Sequence, residues 1–421
     1  MKYFKNTSIL LIEKMFRLTI LALVTIWIAK YLGPEDFGIY SYILSIVSIF
    51  LAFTTLGFDS ILIKFFVLYK NKKQTILFTS FYLRLLFSSF LITVLLVLFF
   101  LVEQENSIFY YIVIASFATI FQSFWVLDFF FQSQILGRYV ALANITTVLV
   151  SSAIKIIFIF LHKPLIYFIY MYIFDFGLLS FLLAYFYFIV YKKIDFKLLN
   201  KRIGVILLNR SWPLILSSIS VILYMKMDQI MIQNMLGSYE LGIYSAAIKI
   251  IEIWYFIPII VSSSIFPMIL NFKKISFEQY CIKLGKIFSL LFYISLIIIL
   301  ITIVLSPYII DILFGVQFEQ SAQVLIFYSW TCIFVFIGTA GNLWYITENL
   351  QLLSLFRSII GLMINIILNL VLIPKYNLYG AAISTLISQI MVTYVLDFFS
   401  KKTRQLFFLK TKCLTFNIIR I

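Results

Sequence analysis

The chain has 421 residues, 63% hydrophobic and 12% charged, with a formal net charge of +16. Ordinary soluble domains run nearer about 45–50% apolar and about 25% charged, so too few polar residues are present to cover a water-facing surface. That excludes a soluble enzyme or nucleic-acid-binding domain and makes lipid the solvent for much of the surface.

Lipid admits only structures whose backbone groups are paired internally, namely helices and closed barrels. The apolar runs are mostly about 20 residues or longer and lack period-two alternation, which selects helices. In chain order the pattern predicts spans at about 8–30, 38–66, 75–102, 108–131, 139–160, 165–191, 209–234, 241–270, 284–305, 321–346, 351–373 and 379–400. Gly33-Pro34 ends the first, Pro164 opens the sixth, Pro307 follows the ninth and Pro374 closes the eleventh. Pro213, Pro258 and Pro267 fall inside spans and predict kinks. The first apolar stretch leads into Tyr31-Leu32-Gly33-Pro34 rather than a small-residue cleavage site, so no cleavable signal is expected. Cys281, Cys332 and Cys413 have no metal-ligand spacing and His162 stands alone, so neither a metal, a cofactor nor a catalytic triad is expected.

Charge placement predicts orientation. With a cytoplasmic N-terminus, 24 of the 33 basic residues fall in inside segments or at the inner ends of spans, 3 (Lys30, Lys163, Lys375) fall outside or at an outer end, and 6 lie deeper within spans. Such a split favours both termini inside and an even number of crossings. The outer connections are acidic instead: Glu35, Asp36, Glu103, Glu105, Glu240 and Glu319. The longest internal connection, 192–208, carries Lys192, Lys193 and Lys197, and no connection is long enough for a catalytic domain. The basic tail after Lys401 is expected to lie on the anionic inner leaflet or to fray.

An internal repeat spans this middle connection. Residues 31–40 read YLGPEDFGIY and residues 235–244 read MLGSYELGIY, five of ten identical at an offset of 204. A weaker echo pairs GRYVALANI from Gly137 with LLSLFRSII from Leu352. Two six-helix lobes are therefore expected, 1–200 and 201–400, followed by a basic tail, 401–421. Six helices per half put both halves in the same sense, a parallel repeat.

These segments also carry a family resemblance. Ala29-Lys30-Tyr31-Leu32-Gly33-Pro34-Glu35-Asp36-Phe37-Gly38-Ile39-Tyr40 resembles the first-loop signature of bacterial polysaccharide flippases of the Wzx type. Phe124-Trp125-Val126-Leu127-Asp128-Phe129-Phe130-Phe131-Gln132 resembles their fourth-helix Trp-x-x-x-Phe-Gln region, although Ser133 stands where glycine is usual. Asp228-Gln229-Ile230-Met231-Ile232 with Leu236-Gly237 and Gly242-Ile243-Tyr244-Ser245-Ala246-Ala247 resembles their seventh-to-eighth helix segment. The resemblance implies the multidrug/oligosaccharidyl-lipid/polysaccharide exporter superfamily, alternating access, and the cytoplasmic (inner) membrane. The cargo it implies is an undecaprenyl-diphosphate-linked oligosaccharide for O-antigen, lipopolysaccharide or capsule assembly. The partners expected are that lipid-linked oligosaccharide, membrane lipids, a polysaccharide polymerase and a chain-length regulator, with no nucleic acid.

Charges inside the spans carry the chemistry, because each costs about 2.5–3.5 kcal/mol at a helix centre and must face a cavity or a partner. The candidates for a cationic lumen that binds a diphosphate are Arg17, Arg84, Lys155, Lys226 and Lys249. Arg17 and Arg84 lie toward the cytoplasmic half, and the three lysines toward the outer half. Glu13 with Arg17, and Lys249 with Glu252, have pairing distance along one helix. Arg84 and Lys155 have no acid three or four positions away. Asp59, Asp228 and Glu252 are candidate ion or proton sites for coupling, since no phosphate-binding Gly-x-x-x-x-Gly-Lys-Ser/Thr run offers ATP as a driver. A multidrug/cation antiporter is the alternative, and a multi-spanning polysaccharide polymerase the third reading. The lumen reading loses its footing if Arg17, Arg84 and Lys155 are all neutralised by fixed carboxylates with no basic chamber.

Overall fold

The computed structural model describes residues 2–101, 107–191 and 199–414. Glu103, Glu105, Lys192, Lys193 and Lys197 therefore lie outside the described residues. Within them the chain is helical and no strand occurs. Among the described residues nine helices are long and apolar enough to cross a membrane, and the pair Ser321–Ser329 and Thr331–Thr347, bent by 42°, passes the same test together, which makes ten if it is one broken span.

Two of the nine are double length: Ile12–Thr54 with 43 residues and the run Gln351–Phe399 with 49. At 1.5 Å per residue either would extend about twice the roughly 30 Å of a hydrocarbon core. Each is interrupted at one residue, Gly33 (φ 76°, ψ 174°) and Asn377 (φ 50°, ψ −132°). The chain doubles back at Asn377: a Cβ on Gly380 would lie 2.1 Å from the Leu372 carbonyl oxygen. Arg357 also reaches Asp397, 40 positions along the same run. With the two long runs divided at these joints and the bent pair taken as one span, the described residues hold twelve crossings, and the chain is an all-helical multi-pass membrane protein.

Local sequence explains most helix limits. The helix Leu165–Tyr191 starts directly after Pro164, and Pro258 sits in the first turn of Phe256–Ile275, just past the break at Tyr255. Pro213 lies inside Lys201–Met235, and Pro307 lies inside Phe277–Phe314 rather than after it. Lipid leaves a helix no better way to satisfy its carbonyls, so it runs through both prolines.

Two compact units emerge, Met1–Leu32 with Ile39–Ile222, and Gly33–Gly38 with Leu223–Ile421. The first is cored by aromatic side chains, including Phe58, Phe66, Phe130, Phe131 and Tyr187. The second is cored by Tyr244, Tyr280, Phe288, Phe314 and Phe318, all nearly inaccessible.

The joints of the repeated segments match in detail. Gly33 (φ 76°, ψ 174°) and Gly237 (φ 102°, ψ 179°) share a backbone conformation open essentially to glycine alone, and they occupy the same place in the 31–40 and 235–244 motifs. In the second unit the motifs face each other reciprocally. A Cβ on Gly38 would stand 1.8 Å from the Ser238 carbonyl oxygen, and one on Gly242 would stand 1.8 Å from that of Pro34. The weaker echo is also structural, with its register one residue from that predicted. Ile135 (φ 59°) corresponds to Asn349 (φ 56°) at an offset of 214. The Leu136 amide donates to the Phe131 carbonyl at 2.9 Å, and the Leu350 amide to that of Tyr345 at 2.8 Å.

Candidate substrate and ion site

In the first unit the apolar helix Lys2–Thr54 carries Glu13 and Arg17 four residues apart, acid first, the favourable order along a helix. Arg17 Nε donates to Glu13 Oε1 at 2.9 Å; the arginine side chain is 33% exposed and the glutamate 5%. Left-handed Gly57 turns the chain into the helix Phe58–Leu68 and sets Asp59 in its first turn. Arg84, on Lys73–Leu101, donates from Nη2 to Asp59 Oδ1 at 2.9 Å and to the Thr55 carbonyl at 2.8 Å. Its guanidinium lies near the rings of Phe58 and Phe129, 5.8 and 5.5 Å from their centroids. The arginine side chain is 1% exposed, whereas Asp59 is 60% exposed. Asp128 accepts from Gln132 Nε2 at 2.8 Å. On the next two helices Lys155 Nζ donates to Asp175 Oδ2 at 2.6 Å, and Ser151 donates to the other oxygen.

All three cations on which the lumen reading rests thus carry a carboxylate. Arg84 and Lys155 pair across helices, with Asp59 and Asp175 at sequence separations of 25 and 20. Both are buried in this conformation and present no open donor surface, while Arg17 stays half-exposed.

The second unit keeps an excess of positive charge. Lys226 is on Lys201–Met235, and Lys249 and Glu252 are on Ser238–Trp254. Lys249 Nζ lies 2.7 Å from Glu252 Oε2 and Lys226 Nζ 3.5 Å from Oε1. Two ammonium groups therefore share one carboxylate. All three side chains are partly accessible, at 20%, 35% and 26% for Lys226, Lys249 and Glu252. A phosphate arriving there meets two donors whose charge is only half compensated.

Two residues along, Asp228 points to another face and is buried. Tyr244 donates to its Oδ2 at 3.0 Å, Asn369 Nδ2 to its Oδ1 at 2.8 Å, and Thr385 also to Oδ2. Asn365 Oδ1 accepts from Asn369 Nδ2 at 3.1 Å, and the Asn369 amide oxygen has no donor among the described residues. This is a carboxylate in a shell of neutral amides and hydroxyls with no ion-pair partner among the described residues. Of the three candidate coupling acids it is the one so placed; Asp59 holds Arg84, and Glu252 holds two lysines.

Sequence reasoning had not assigned the shell. Its signal was present: Asn365 and Asn369, four apart in an apolar helix, put two amides on one face, where lipid would penalise both. A second cluster was also unassigned. Asp397 accepts from Arg357 Nη1 at 3.2 Å, from Lys410 Nζ at 2.6 Å and from Tyr345 at 2.5 Å. It anchors a terminal helix, Arg404–Leu414; residues 415–421, with Arg420, lie outside the described residues.

Comparison with known proteins agrees with this architecture. The family model described as "Polysaccharide biosynthesis protein" matches residues 3–273. The chain belongs to that family. A curated relative, the capsular polysaccharide biosynthesis protein CapF of Staphylococcus aureus, is 27% identical over 194 residues. That match covers 45% of this chain and 48% of the relative, about half of its length. Among solved structures, a multidrug resistance MATE family transporter of the MOP superfamily, inward-facing, superposes with a TM-score of 0.71 at 13% identity, covering 96% of each chain. The lipid II flippase MurJ in an inward closed conformation superposes with a TM-score of 0.69 at 16% identity, covering 97% of this chain and 91% of MurJ. At such identities the likeness is one of fold.

Proposed function

We propose that the chain moves undecaprenyl-diphosphate-linked oligosaccharide repeat units from the inner to the outer leaflet of a bacterial cytoplasmic membrane, by alternating access. It would hand them to a polysaccharide polymerase and a chain-length regulator for surface polysaccharide assembly. Family membership supports the cargo class. The observation that carries the reading is the Lys226–Glu252–Lys249 triad, where a membrane-embedded carboxylate is outnumbered two to one by lysines. An uncompensated charge in lipid is costly, and a passing diphosphate is the group that relieves the cost. Arg17 offers a second, half-exposed donor. Arg84 and Lys155 contribute on this reading only when they exchange Asp59 and Asp175 for cargo oxygens.

Asp228 is assigned the coupling ion, a proton or an alkali cation held among Asn365, Asn369, Thr385 and Tyr244. Binding there changes the net charge of the bundle by one and biases one conformation over another. The test is removal of the surplus: Lys226→Gln with Lys249→Gln at normal protein level should abolish surface polysaccharide, and Lys→Arg at both should retain it. Normal polysaccharide in the glutamine double variant refutes the assignment.

A second reading, a multidrug/cation antiporter, is favoured by one observation: Asp228 has no basic partner among the described residues and suits a cation. Drug susceptibility of a deletion strain separates the two, because an antiporter's loss sensitises the cell and a flippase's loss strips its glycan.

A further inference from the structure

The helix Phe277–Phe314 outruns a bilayer. Its 38 residues extend about 57 Å at 1.5 Å per residue, against a core of roughly 30 Å. The uncharged, mostly apolar stretch begins at Ile287 and runs to Leu305, so residues 277–286 stand at headgroup level or beyond. They include Glu278, Lys283 and Lys286.

The terminal helix Arg404–Leu414 lies against this end. Lys410 pins it: Nζ donates to Asp397 Oδ2 and to the Thr393 carbonyl, each at 2.6 Å. Thr403 Oγ1 donates to the Asp397 carbonyl at 2.8 Å, and Gln405 Nε2 to Cys281 Sγ at 3.5 Å. Between the two helices runs a groove of about 360 Å³ whose apolar walls include Phe277, Ile282 and Leu409. Lys286 and Lys412 stand exposed at its sides, with Glu278 its one carboxylate.

Two patterns surround the groove. Arg404, Phe408 and Lys412 succeed one another at four-residue intervals and are exposed, a cation–aromatic–cation stripe suited to a membrane interface. On the long helix, Lys286 heads an exposed apolar stripe, Leu290, Ile297, Ile301 and Val304, whose spacing keeps it on the same face. A cationic mouth opening onto an apolar track matches one molecule with an anionic head and hydrocarbon tails.

We infer that this groove seats the phosphate headgroup of an anionic membrane phospholipid, held by Lys286 and Lys412, with its acyl chains along the Leu290–Val304 stripe. In the orientation expected from the basic-residue count the groove lies in the cytoplasmic leaflet, where such headgroups provide the negative surface charge. Because Lys410 fixes the terminal helix, the groove is formed before the lipid arrives and little ordering is needed on binding. The inference is independent of the transported cargo.

The experiment titrates phosphatidylglycerol or phosphatidylcholine into the full chain purified in neutral detergent and counts retained lipid by native mass spectrometry. Phosphatidylglycerol should be retained in preference to phosphatidylcholine. Lys286→Gln with Lys412→Gln should weaken the phosphatidylglycerol complex about thirtyfold, two surface lysines' worth of attraction. Lys401→Gln with Lys402→Gln removes the same charge elsewhere on the tail and should weaken it less than about threefold. Glu278→Gln should tighten it. The site is refuted by equal retention of the two lipids, or by an unchanged complex in the groove double variant. Equal loss in the Lys401/Lys402 variant also overturns it, since attraction would then be diffuse. So does displacement by millimolar inorganic phosphate, since the groove would then be a free-phosphate site.

Discussion

Replacing Gly38 by alanine tests the repeat at its closest contact. The new methyl would lie 1.8 Å from the Ser238 carbonyl oxygen, where ordinary van der Waals contact begins at 3.4 Å. Both neighbours are backbone, so no rotamer relieves the overlap and the segments must part by about 1.6 Å or more, by subtraction of those distances. Overpacking of this kind costs about 1–3 kcal/mol, and backbone obstruction puts it at the upper end. For a unit of this size that is a fall in melting midpoint of about 5–10 °C. Gly242→Ala meets the Pro34 carbonyl at the same 1.8 Å and should cost the same. Once one alanine has separated the segments the second meets less resistance, so the double variant should fall well short of the sum. Gly204→Ala is the control, since its methyl would meet Thr79 and Leu83 at 3.5 and 3.6 Å. The assay is thermal unfolding of the purified protein in detergent. A midpoint for Gly38→Ala within about 1 °C of wild type, or strict additivity with Gly242→Ala, refutes the reciprocal packing.

Three further outcomes follow from the charge clusters. Lys155→Met strands Asp175 and should destabilise by about 3 kcal/mol, whereas adding Asp175→Leu should restore most of that loss in thermal unfolding; equal losses in both would deny the pair a structural role. Asp228→Asn keeps the shape of the side chain and most of its hydrogen bonds, so the protein should fold while transport in vesicles loses its dependence on sodium or on pH. Retention of both dependences removes Asp228 from coupling. Asp397→Asn weakens the hold on Lys410 and Arg357, and limited proteolysis should then release the terminal helix Arg404–Leu414, which stays protected in the wild type.

The crossings were legible because lipid enforces them: each needs about 20 apolar residues, and glycine alone suits the backbone at Gly33 and Gly237. Hence the twelve crossings and the 31–40/235–244 repeat could be read directly. The Glu13–Arg17 and Lys249–Glu252 pairs were legible because helical spacing is local. Arg84 with Asp59 and Lys155 with Asp175 were not, because their partners come from other helices and only packing decides which helices touch. That is why two side chains that look unpaired along the chain are neutralised in space. The Asp228 shell was half-legible: the Asn365–Asn369 spacing announced a polar face, but nothing local connected it with Thr385 or Tyr244. The anchored terminal helix was hidden for a similar reason. Lys410 reads as one more tail lysine until Asp397 and the Thr393 carbonyl are found around it.

The most direct measurement reconstitutes the protein in vesicles and follows a diphosphate-linked oligosaccharide from one leaflet to the other. Wild type should move it, and Lys226→Gln with Lys249→Gln should slow it by about ten- to a hundredfold, the loss of one or two charge-assisted contacts. Lys226→Arg with Lys249→Arg should keep the wild-type rate. Undiminished movement by the glutamine variant would contradict the role given to the two lysines. No movement by wild type, with drug efflux in its place, would contradict the cargo itself.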